Sequence, residues 1–265
     1  AIDEEGFVYV ADGGNSRVQK FSPEGDFIAS WGDNGTHDDQ FYLTFGVAIW
    51  EDKLYVSDYG NGRIQVLDKE TGEFLFRFGS NGPAPGEFDY PSGLAFDSEG
   101  RLVVCDYNND RIQQFNSDGT YIGQVGTPGV IPGQFDHPVF VTTDNDNRIY
   151  VSDSGNERVQ KFSPSLIFES EFGVSGSGPG EFTASWGLAI YPHGGIVVLD
   201  PSTLRLQRFG VQEYELLEVF NSHSDQSGAF DIDFDSEGNF YVTDHATPYV
   251  FKFNALGQFM MNWTL

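Results

Sequence analysis

The chain has 265 residues, of which 40 are acidic and 14 are basic, and its formal net charge is −26. A surface this acidic repels phosphate backbones and anionic membranes, which excludes nucleic acid as a favourable partner. The single cysteine excludes an internal disulfide, and the lack of any run of about eighteen apolar residues predicts no membrane insertion.

The first predicted element is the motif VADGGNSRVQKF (Val10–Phe21), in which Asp12 is followed by Asn15 and Arg17. Similar motifs follow along the chain at separations of 44 to 48 residues, with their aspartates at Asp58, Asp106, Asp153, Asp200 and Asp244. A period of this length is typical of propellers and repeat arrays. The opening residues "AID" align with an inner strand of the later units, so we expect a processed or excised chain.

The third unit shows the predicted strands most clearly. "SGLAFDSEG" is a short apolar strand ending in a turn, and "RLVVCD", "DRIQQFN" and "YIGQVG" are three further strands. Four short strands repeated six times predict an all-β, six-bladed β-propeller of four-stranded antiparallel blades, forming a single domain over residues 1–265. The predicted blades cover approximately residues 1–32, 45–79, 92–126, 139–173, 186–220 and 230–265.

The stretch GSNGPAPGEFDYPSGLAFDSEGRLVVCDYNNDRIQQF (Gly79–Phe115) closely resembles the repeat of the NHL propellers. The resemblance extends over essentially the whole chain. It implies a six-bladed propeller, and it leaves function open, because propellers of this family serve as interaction modules, sensors, RNA binders and occasionally lyases.

The repeated motif is interpreted as structural, because an enzyme needs one convergent site rather than six copies. The aspartate at the end of a strand can accept N–H groups of the following turn, and the asparagine tolerates the left-handed conformation of such a turn. The arginine can reach back to the aspartate, which predicts the pairs Asp12–Arg17, Asp58–Arg63, Asp106–Arg111, Asp153–Arg158 and Asp200–Arg205. In the sixth copy Tyr249 stands where the arginine would be.

The loops between blades share a face with these turns, and that face surrounds the central channel. Positions that vary between copies place aromatic side chains there, which predicts a ligand site at the channel mouth formed by Tyr59, Tyr90, Tyr107, His137, Trp186 and His245. Aromatic groups beside polar ones bind sugars, peptides and other amphipathic ligands. The alternative is that these rings pack between the blades.

The sixth inner strand, AFDIDFD, carries Asp231 and Asp233 where other blades have glycine and alanine. Residues two apart on a strand face the same side, so the two carboxylates require a cation, a partner or water. Oxygen ligands make Ca²⁺ the candidate cofactor, and solvation by channel water is the alternative.

An enzymatic function is the second hypothesis. Peptide-amidating lyases that resemble NHL propellers hold zinc with three histidines, whereas only His137 and His245 of the five histidines in this chain are expected near the mouth. We therefore expect a non-catalytic binding or scaffold module for a protein, peptide or glycan ligand, with cations at its acidic surface. The alternative is a metal-dependent lyase or hydrolase that uses the channel mouth. An extracellular or cell-surface location is expected.

The excess of acidic over basic residues yields a first prediction. Added NaCl should raise the melting temperature, because salt screens the repulsion between like charges, and millimolar Ca²⁺ should raise it further if specific sites exist. Thermal unfolding followed by circular dichroism from low to molar salt measures this effect. A melting temperature that stays constant or falls would show that repulsion does not limit stability.

Overall fold

The computed structural model describes residues 1–184, 187–201, 205–210, 214–221 and 228–265. Within these ranges the chain forms five antiparallel sheets of four strands and one of three strands, and the strands of each sheet pair in chain order. The predicted six-bladed propeller is therefore confirmed. None of the helices in the described part of the chain is long and apolar enough to cross a membrane.

The strands of each blade follow one another from the channel outwards. Blade 1 contains Val8–Asp12, Arg17–Phe21 and Phe27–Trp31. Blade 2 contains Thr44–Trp50, Lys53–Asp58, Arg63–Asp68 and Phe74–Phe78. Blade 3 contains Pro91–Phe96, Arg101–Asp106, Arg111–Asn116 and Tyr121–Val125. Blade 4 contains Pro138–Thr143, Ile149–Asp153, Arg158–Phe162 and Phe168–Phe172. Blade 5 contains Leu188–Ile190, Ile196–Asp200, Arg205–Phe209 and Leu216–Asn221. Blade 6 contains Ala229–Phe234, Phe240–Asp244, Tyr249–Phe253 and Phe259–Thr264.

Short elements connect these strands. In four blades a 3₁₀ turn follows the strand that ends with the motif aspartate. These turns are Gly13–Asn15, Tyr59–Asn61, Tyr107–Asn109 and Ser154–Asn156. The segments that join the outer strand of one blade to the inner strand of the next are called linkers. Two of them contain parallel two-residue pairs, Asp33–Asn34 with Gln40–Phe41 and Val174–Ser175 with Glu181–Phe182.

Blade 1 differs from the predicted four-stranded unit at its inner edge. Ile2 forms a single antiparallel bridge with Val8, and Ala1 exchanges two backbone hydrogen bonds with Tyr9. Ala1 and Ile2 thus occupy the inner-strand position beside Tyr9 and Val8.

Each of the six junctions between blades contains its own cluster of buried apolar side chains, so the ring is closed. At the junction of blades 6 and 1, Trp263 lies 5.9 Å from Phe21 and 6.0 Å from Tyr241, measured between ring centroids. Lys252 also donates a hydrogen bond across this junction to the carbonyl oxygen of Pro23 at 3.0 Å. A polar contact therefore supplements the face packing that holds the first and last blades together.

A fully buried phenylalanine lies near the end of each of four linkers and packs against the glycine at the beginning of the same linker. A β-carbon on Gly79 would lie 2.5 Å from the ring of Phe88, and the backbone there has a φ of +84°. The same pairing recurs for Gly32 with Phe41, Gly126 with Phe135 and Gly173 with Phe182. Only glycine allows the ring to approach so closely in this conformation, which fixes where each linker enters the next blade.

The motif aspartates are buried acceptors that join a turn, a strand and a linker. Asp106 is 0% exposed and accepts hydrogen bonds from the Asn109 amide, from Nε of Arg111 at 2.7 Å and from the Gln113 amide. It also accepts the backbone N–H of Asp89, a linker residue, at 2.7 Å. Burial raises the pKa of Asp106, and these hydrogen bonds counteract that rise.

In blades 2 to 4 the arginine of the motif extends the same network into the linker. The guanidinium group of Arg111 donates to the carbonyl oxygens of Pro83, Ala84 and Glu87. Arg63 and Arg158 make corresponding bonds to their own linkers. Arg205 lies farther from its aspartate, with Nη2 3.7 Å from the Asp200 carboxylate. In blade 6, Asp244 accepts the backbone N–H groups of Ala246 and Thr247 in place of an arginine.

Removing one of these carboxylates should destabilise the fold strongly. We expect Asp106→Ala to lower the free energy of unfolding by about 3–5 kcal/mol, because it leaves the Arg111 guanidinium buried without its counter-ion. The exposed residue Glu4 provides a control that removes the same charge, and Glu4→Ala should change stability by less than about 0.5 kcal/mol. Urea unfolding at neutral pH measures both. Equal effects of the two substitutions would contradict a structural role for the motif.

Candidate functional site

The turns that follow the second strands lie against the linkers, and together they surround the channel opening. The backbone N–H of Tyr59 donates to the carbonyl of Leu43, and that of Tyr107 donates to the carbonyl of Tyr90. The last linker residues Leu43, Tyr90 and His137 have positive φ angles between 56° and 62°. The network around each motif aspartate therefore holds the residues beside the opening in defined positions.

Four of the predicted ring residues form one continuous array on blades 2 to 4. Tyr90 stacks on Tyr59 with ring centroids 4.6 Å apart, and Tyr59 lies 6.4 Å from Tyr107. Tyr107 in turn lies 4.6 Å from the His137 ring. These aromatic side chains contact one another across blades and so form a single surface.

Three phenylalanines lie at the centre of this array. The ring of Phe45 lies 5.3 Å from Tyr59, 5.5 Å from Phe140 and 5.1 Å from Phe230. Phe230 extends the cluster to His245, 5.9 Å away. We define the channel mouth as Phe45, Tyr59, Tyr90, Tyr107, His137, Phe140, Phe230 and His245.

Phe45, Phe140 and Phe230 are not among the mouth residues predicted from the sequence. Phe140 occupies an inner-strand position that is glycine in three other blades, at Gly46, Gly93 and Gly187. This replacement of a small residue by a large one is the sequence feature that marks Phe140 as a candidate site residue. Asp231 occupies the same position in blade 6, so the feature that marks Asp231 in the sequence also marks Phe140 in blade 4.

Two cavities open beside this aromatic cluster. The smaller, about 290 Å³, is lined by Tyr107, His137, Val139, Ser154 and Gly155 together with Phe45, Tyr59 and Phe230. The larger, about 610 Å³, shares Phe45, Tyr59 and Phe230 and continues past His245 to Ala1 and Val10 of blade 1. None of the described residues that line either cavity is a lysine or an arginine.

The two aspartates of the sixth inner strand have different surroundings. Asp231 lines the larger cavity, whereas Asp233 does not line either cavity and its carboxylate lies 3.9 Å from the amino group of Ala1. Each carboxylate also accepts the backbone N–H of the following residue, Ile232 or Phe234, at 2.8 Å. Trp186, the remaining predicted ring, lies outside the described residues.

Burial sets the charge state of the site. It raises the pKa of Asp231 to about 7, with the nearby Asp233 charge adding to the rise and the Ala1 amino group opposing it. Burial, with the neighbouring phenols of Tyr107 and Tyr90, raises the pKa of Tyr59 to about 12. Burial also raises the pKa of Tyr107, so the phenols of Tyr59 and Tyr107 stay neutral near pH 7.

Among the described residues, one group brings three metal-ligating side chains within 4.8 Å of one another: Asp110, Asp136 and His137. The Nδ1 atom of His137 lies 2.5 Å from an Asp136 oxygen, and the His137 backbone N–H donates to Asp110 at 2.8 Å. This set contains one histidine and therefore does not match the three-histidine zinc site considered from the sequence. Asp231 and Asp233 are not part of it.

Comparison with known proteins identifies the repeat. The family profile described as "NHL repeat" matches residues 1–21, 88–115 and 135–162, within blades 1, 3 and 4. The chain therefore contains NHL repeats within its six-bladed β-propeller. NHL repeat-containing protein 3 of Homo sapiens is 34% identical over 118 residues, which cover 42% of this chain and 32% of the human protein.

Two further similarities concern enzymes. Peptidyl-glycine alpha-amidating monooxygenase B of Xenopus laevis is 42% identical over 77 residues, covering 26% of this chain and 9% of that protein. The structure of streptogramin B lyase superposes with a TM-score of 0.71 at 15% identity, covering 100% of this chain and 81% of the lyase. At this identity the superposition establishes a shared fold alone.

The raised pKa of Asp231 yields a test by pH. A carboxyl whose pKa is higher in the folded than in the unfolded chain binds more protons when folded, so its contribution to stability is complete below about pH 4 and is lost towards pH 7. Asp231→Asn should therefore gain stability relative to the wild type as the pH rises through this range. Urea unfolding of both proteins at several pH values measures the difference, and a difference independent of pH would contradict the raised pKa.

Proposed function

We propose that this NHL propeller is a non-catalytic module that binds cationic segments of protein or peptide ligands at its channel mouth. The observation that carries the proposal is the continuous surface of aromatic rings next to Asp110, Asp136 and Asp231, with no lysine or arginine among the described lining residues. Propellers of the NHL family generally bind proteins, which supports a macromolecular ligand.

The chemistry of the mouth suits arginine and lysine side chains. A guanidinium or ammonium group is attracted to the face of an aromatic ring, and the attraction increases where water is excluded. The flanking carboxylates add charge-assisted hydrogen bonds. The net charge of −26 favours the approach of basic ligands over acidic ones and makes association sensitive to salt.

The volume and rigidity of the site also support binding. A cavity of about 610 Å³ lies within the usual range of roughly 300–1,000 Å³ for ligand pockets and accommodates a few side chains of a larger ligand. Tyr59 and Tyr107 begin turns that the buried aspartates Asp58 and Asp106 hold in place. A surface held in this way loses little conformational freedom on binding, which favours affinity.

Replacing a central ring should weaken binding without unfolding the chain. The probe is a fluorescein-labelled octapeptide of alternating arginine and serine, with a glutamate–serine octapeptide as the charge control. We expect Tyr59→Ala and Tyr107→Ala each to weaken binding of the basic peptide by about 1–3 kcal/mol, as for truncated interface hot spots. Fluorescence polarisation measures the affinity.

A matched control separates the mouth from general attraction to the acidic surface. Phe27 is an exposed aromatic residue on the outer strand of blade 1, so Phe27→Ala should leave the affinity unchanged. Equal affinities of the wild type and both tyrosine variants would contradict the proposal, as would equal binding of the acidic peptide.

A metal-dependent lyase or hydrolase is the second candidate, favoured by the grouping of Asp110, Asp136 and His137 beside the smaller cavity. Imidazole and carboxylate oxygen are ligands for zinc and related metals. The proposed binding module predicts that protein purified without chelators contains less than one equivalent of any transition metal, as measured by plasma mass spectrometry. One equivalent of zinc that is lost in His137→Ala would support the enzyme instead.

A further inference from the structure

The smaller cavity of the channel mouth is lined mainly by aromatic rings. Five of its eight lining residues are aromatic, namely Phe45, Tyr59, Tyr107, His137 and Phe230. The other three are Val139, Ser154 and Gly155, so the described lining residues include no carboxylate, lysine or arginine. The larger cavity differs in this respect, because three carboxylates line it, those of Asp12, Asp231 and Asp244. The two cavities therefore offer different chemistry to a ligand.

The five rings follow one another around the smaller cavity. Neighbouring rings are in contact, from Phe230 to Phe45 at 5.1 Å, to Tyr59 at 5.3 Å, to Tyr107 at 6.4 Å and to His137 at 4.6 Å, measured between centroids. Three of these four pairs are inclined at angles between 52° and 62°. Both ends of the series line the same cavity, so the inclined rings curve around it and do not form a flat wall.

The turns and linkers hold these rings in position before a ligand binds. Tyr107 begins a 3₁₀ turn, and its backbone N–H donates to the carbonyl of Tyr90 at 3.2 Å. The backbone N–H of His137 donates to the Asp110 carboxylate at 2.8 Å. Tyr90 also stacks on Tyr59 with ring centroids 4.6 Å apart. A site that is preformed in this way loses little conformational freedom on binding, which favours affinity.

Two carboxylates place negative charge next to the smaller cavity without lining it. An oxygen of Asp136 lies 2.5 Å from Nδ1 of His137, and Asp110 accepts the backbone N–H of His137. A β-carbon on Gly155 would lie 2.4 Å from Cγ of Asp136, so this carboxylate packs against the turn of blade 4. Together with the net charge of −26, these groups favour a cation over an anion in the cavity.

The lining favours one kind of cation. The face of an aromatic ring attracts a positive charge, and the attraction increases where water is excluded. A lysine ammonium group is strongly hydrated and has three N–H groups, so burying it among rings without a carboxylate is costly. A quaternary ammonium group has no N–H group to satisfy, and its methyl groups pack against the rings. The smaller cavity therefore suits a quaternary ammonium group better than a protonated amine.

The size of the smaller cavity agrees with a single group of this kind. Its volume of about 290 Å³ lies near the lower end of the range of roughly 300–1,000 Å³ for ligand pockets. It therefore accommodates one side chain or one small molecule, whereas the larger cavity of about 610 Å³ has room for more than one side chain.

We propose that the smaller cavity is an aromatic cage for a quaternary ammonium group, which belongs either to a trimethylated lysine side chain or to a free choline-like molecule. The rings contact the methyl groups, and Asp110 and Asp136 supply the negative field beside them. The inference rests on the proposed function and extends it, since it assigns one class of cation to one of the two cavities of the mouth.

The first experiment compares labelled peptides on the wild-type chain. One arginine of the arginine–serine octapeptide is replaced by lysine, by trimethyllysine or by the uncharged analogue in which carbon replaces the quaternary nitrogen. We expect the trimethyllysine peptide to bind at least tenfold more tightly than either of the other two in fluorescence polarisation, because the cage requires both a positive charge and weak hydration.

A second pair of ligands distinguishes the source of the quaternary ammonium group. Isothermal titration compares choline with the alcohol in which carbon replaces the nitrogen of choline. A preference for choline without any preference among the peptides would support the cage and assign it to a free molecule, whereas the peptide preference assigns it to a modified side chain. Equal binding of the charged and uncharged members of both pairs would overturn the proposal.

Variants of Tyr107, which lines the smaller cavity alone, test the role of the ring. Tyr107→Ala should abolish the preference for the trimethyl group, whereas Tyr107→Phe should retain it because the ring is kept. Circular dichroism establishes that both variants are folded. Equal loss of the preference in both variants would assign recognition to the hydroxyl group and overturn the cage.

The same measurements separate this inference from the proposed function. Binding of the arginine–serine peptide that is weakened by Tyr59→Ala, with no charge preference in either pair of ligands, would overturn the cage alone. Binding of choline in preference to its uncharged analogue, with no binding of any peptide, would overturn the proposed peptide-binding function and leave the cage in place.

Discussion

The buried carboxylate at the end of each second strand is the interaction on which the rest of the propeller depends. Asp58, Asp106 and Asp153 are fully buried, and each accepts bonds from a turn asparagine, an arginine, a glutamine and a linker N–H. One side chain thereby fixes the turn, the hairpin and the incoming linker in relation to one another. Loss of the arginine would leave the carboxylate buried without its counter-ion.

This rigidity allows the positions that depart from the repeat to carry function. The residue after each motif aspartate is free to vary, and it is tyrosine in blades 2 and 3 and histidine in blade 6. Phe45, Phe140 and Phe230 come from inner strands of three blades and meet above the channel. The result is an aromatic surface assembled from separate repeats on a scaffold whose repeated part serves stability, as in other proteins that place binding residues on loops of a rigid fold.

The repeat period, the strand order and the aspartate–arginine spacing made the fold predictable, because each is local in sequence and recurs several times. The contacts between residues of the channel mouth were harder to predict from the sequence. Asp110, Asp136 and His137 come together from a turn and the following linker, and no fixed spacing marks such a group. The sequence places Asp231 and Asp233 two residues apart on one strand, yet only Asp231 lines the larger cavity, and the Asp233 carboxylate lies 3.9 Å from the Ala1 amino group.

The central claim is that the motif network holds the fold and that ligands bind where the blades differ. Hydrogen–deuterium exchange of the chain with and without the arginine–serine octapeptide tests it most directly, because it reports contact and stability along the backbone together. The account predicts slower exchange on binding at the turns that begin with Tyr59 and Tyr107 and along the inner strand containing Phe230. Protection confined to the outer strands, with these segments unchanged, would contradict it.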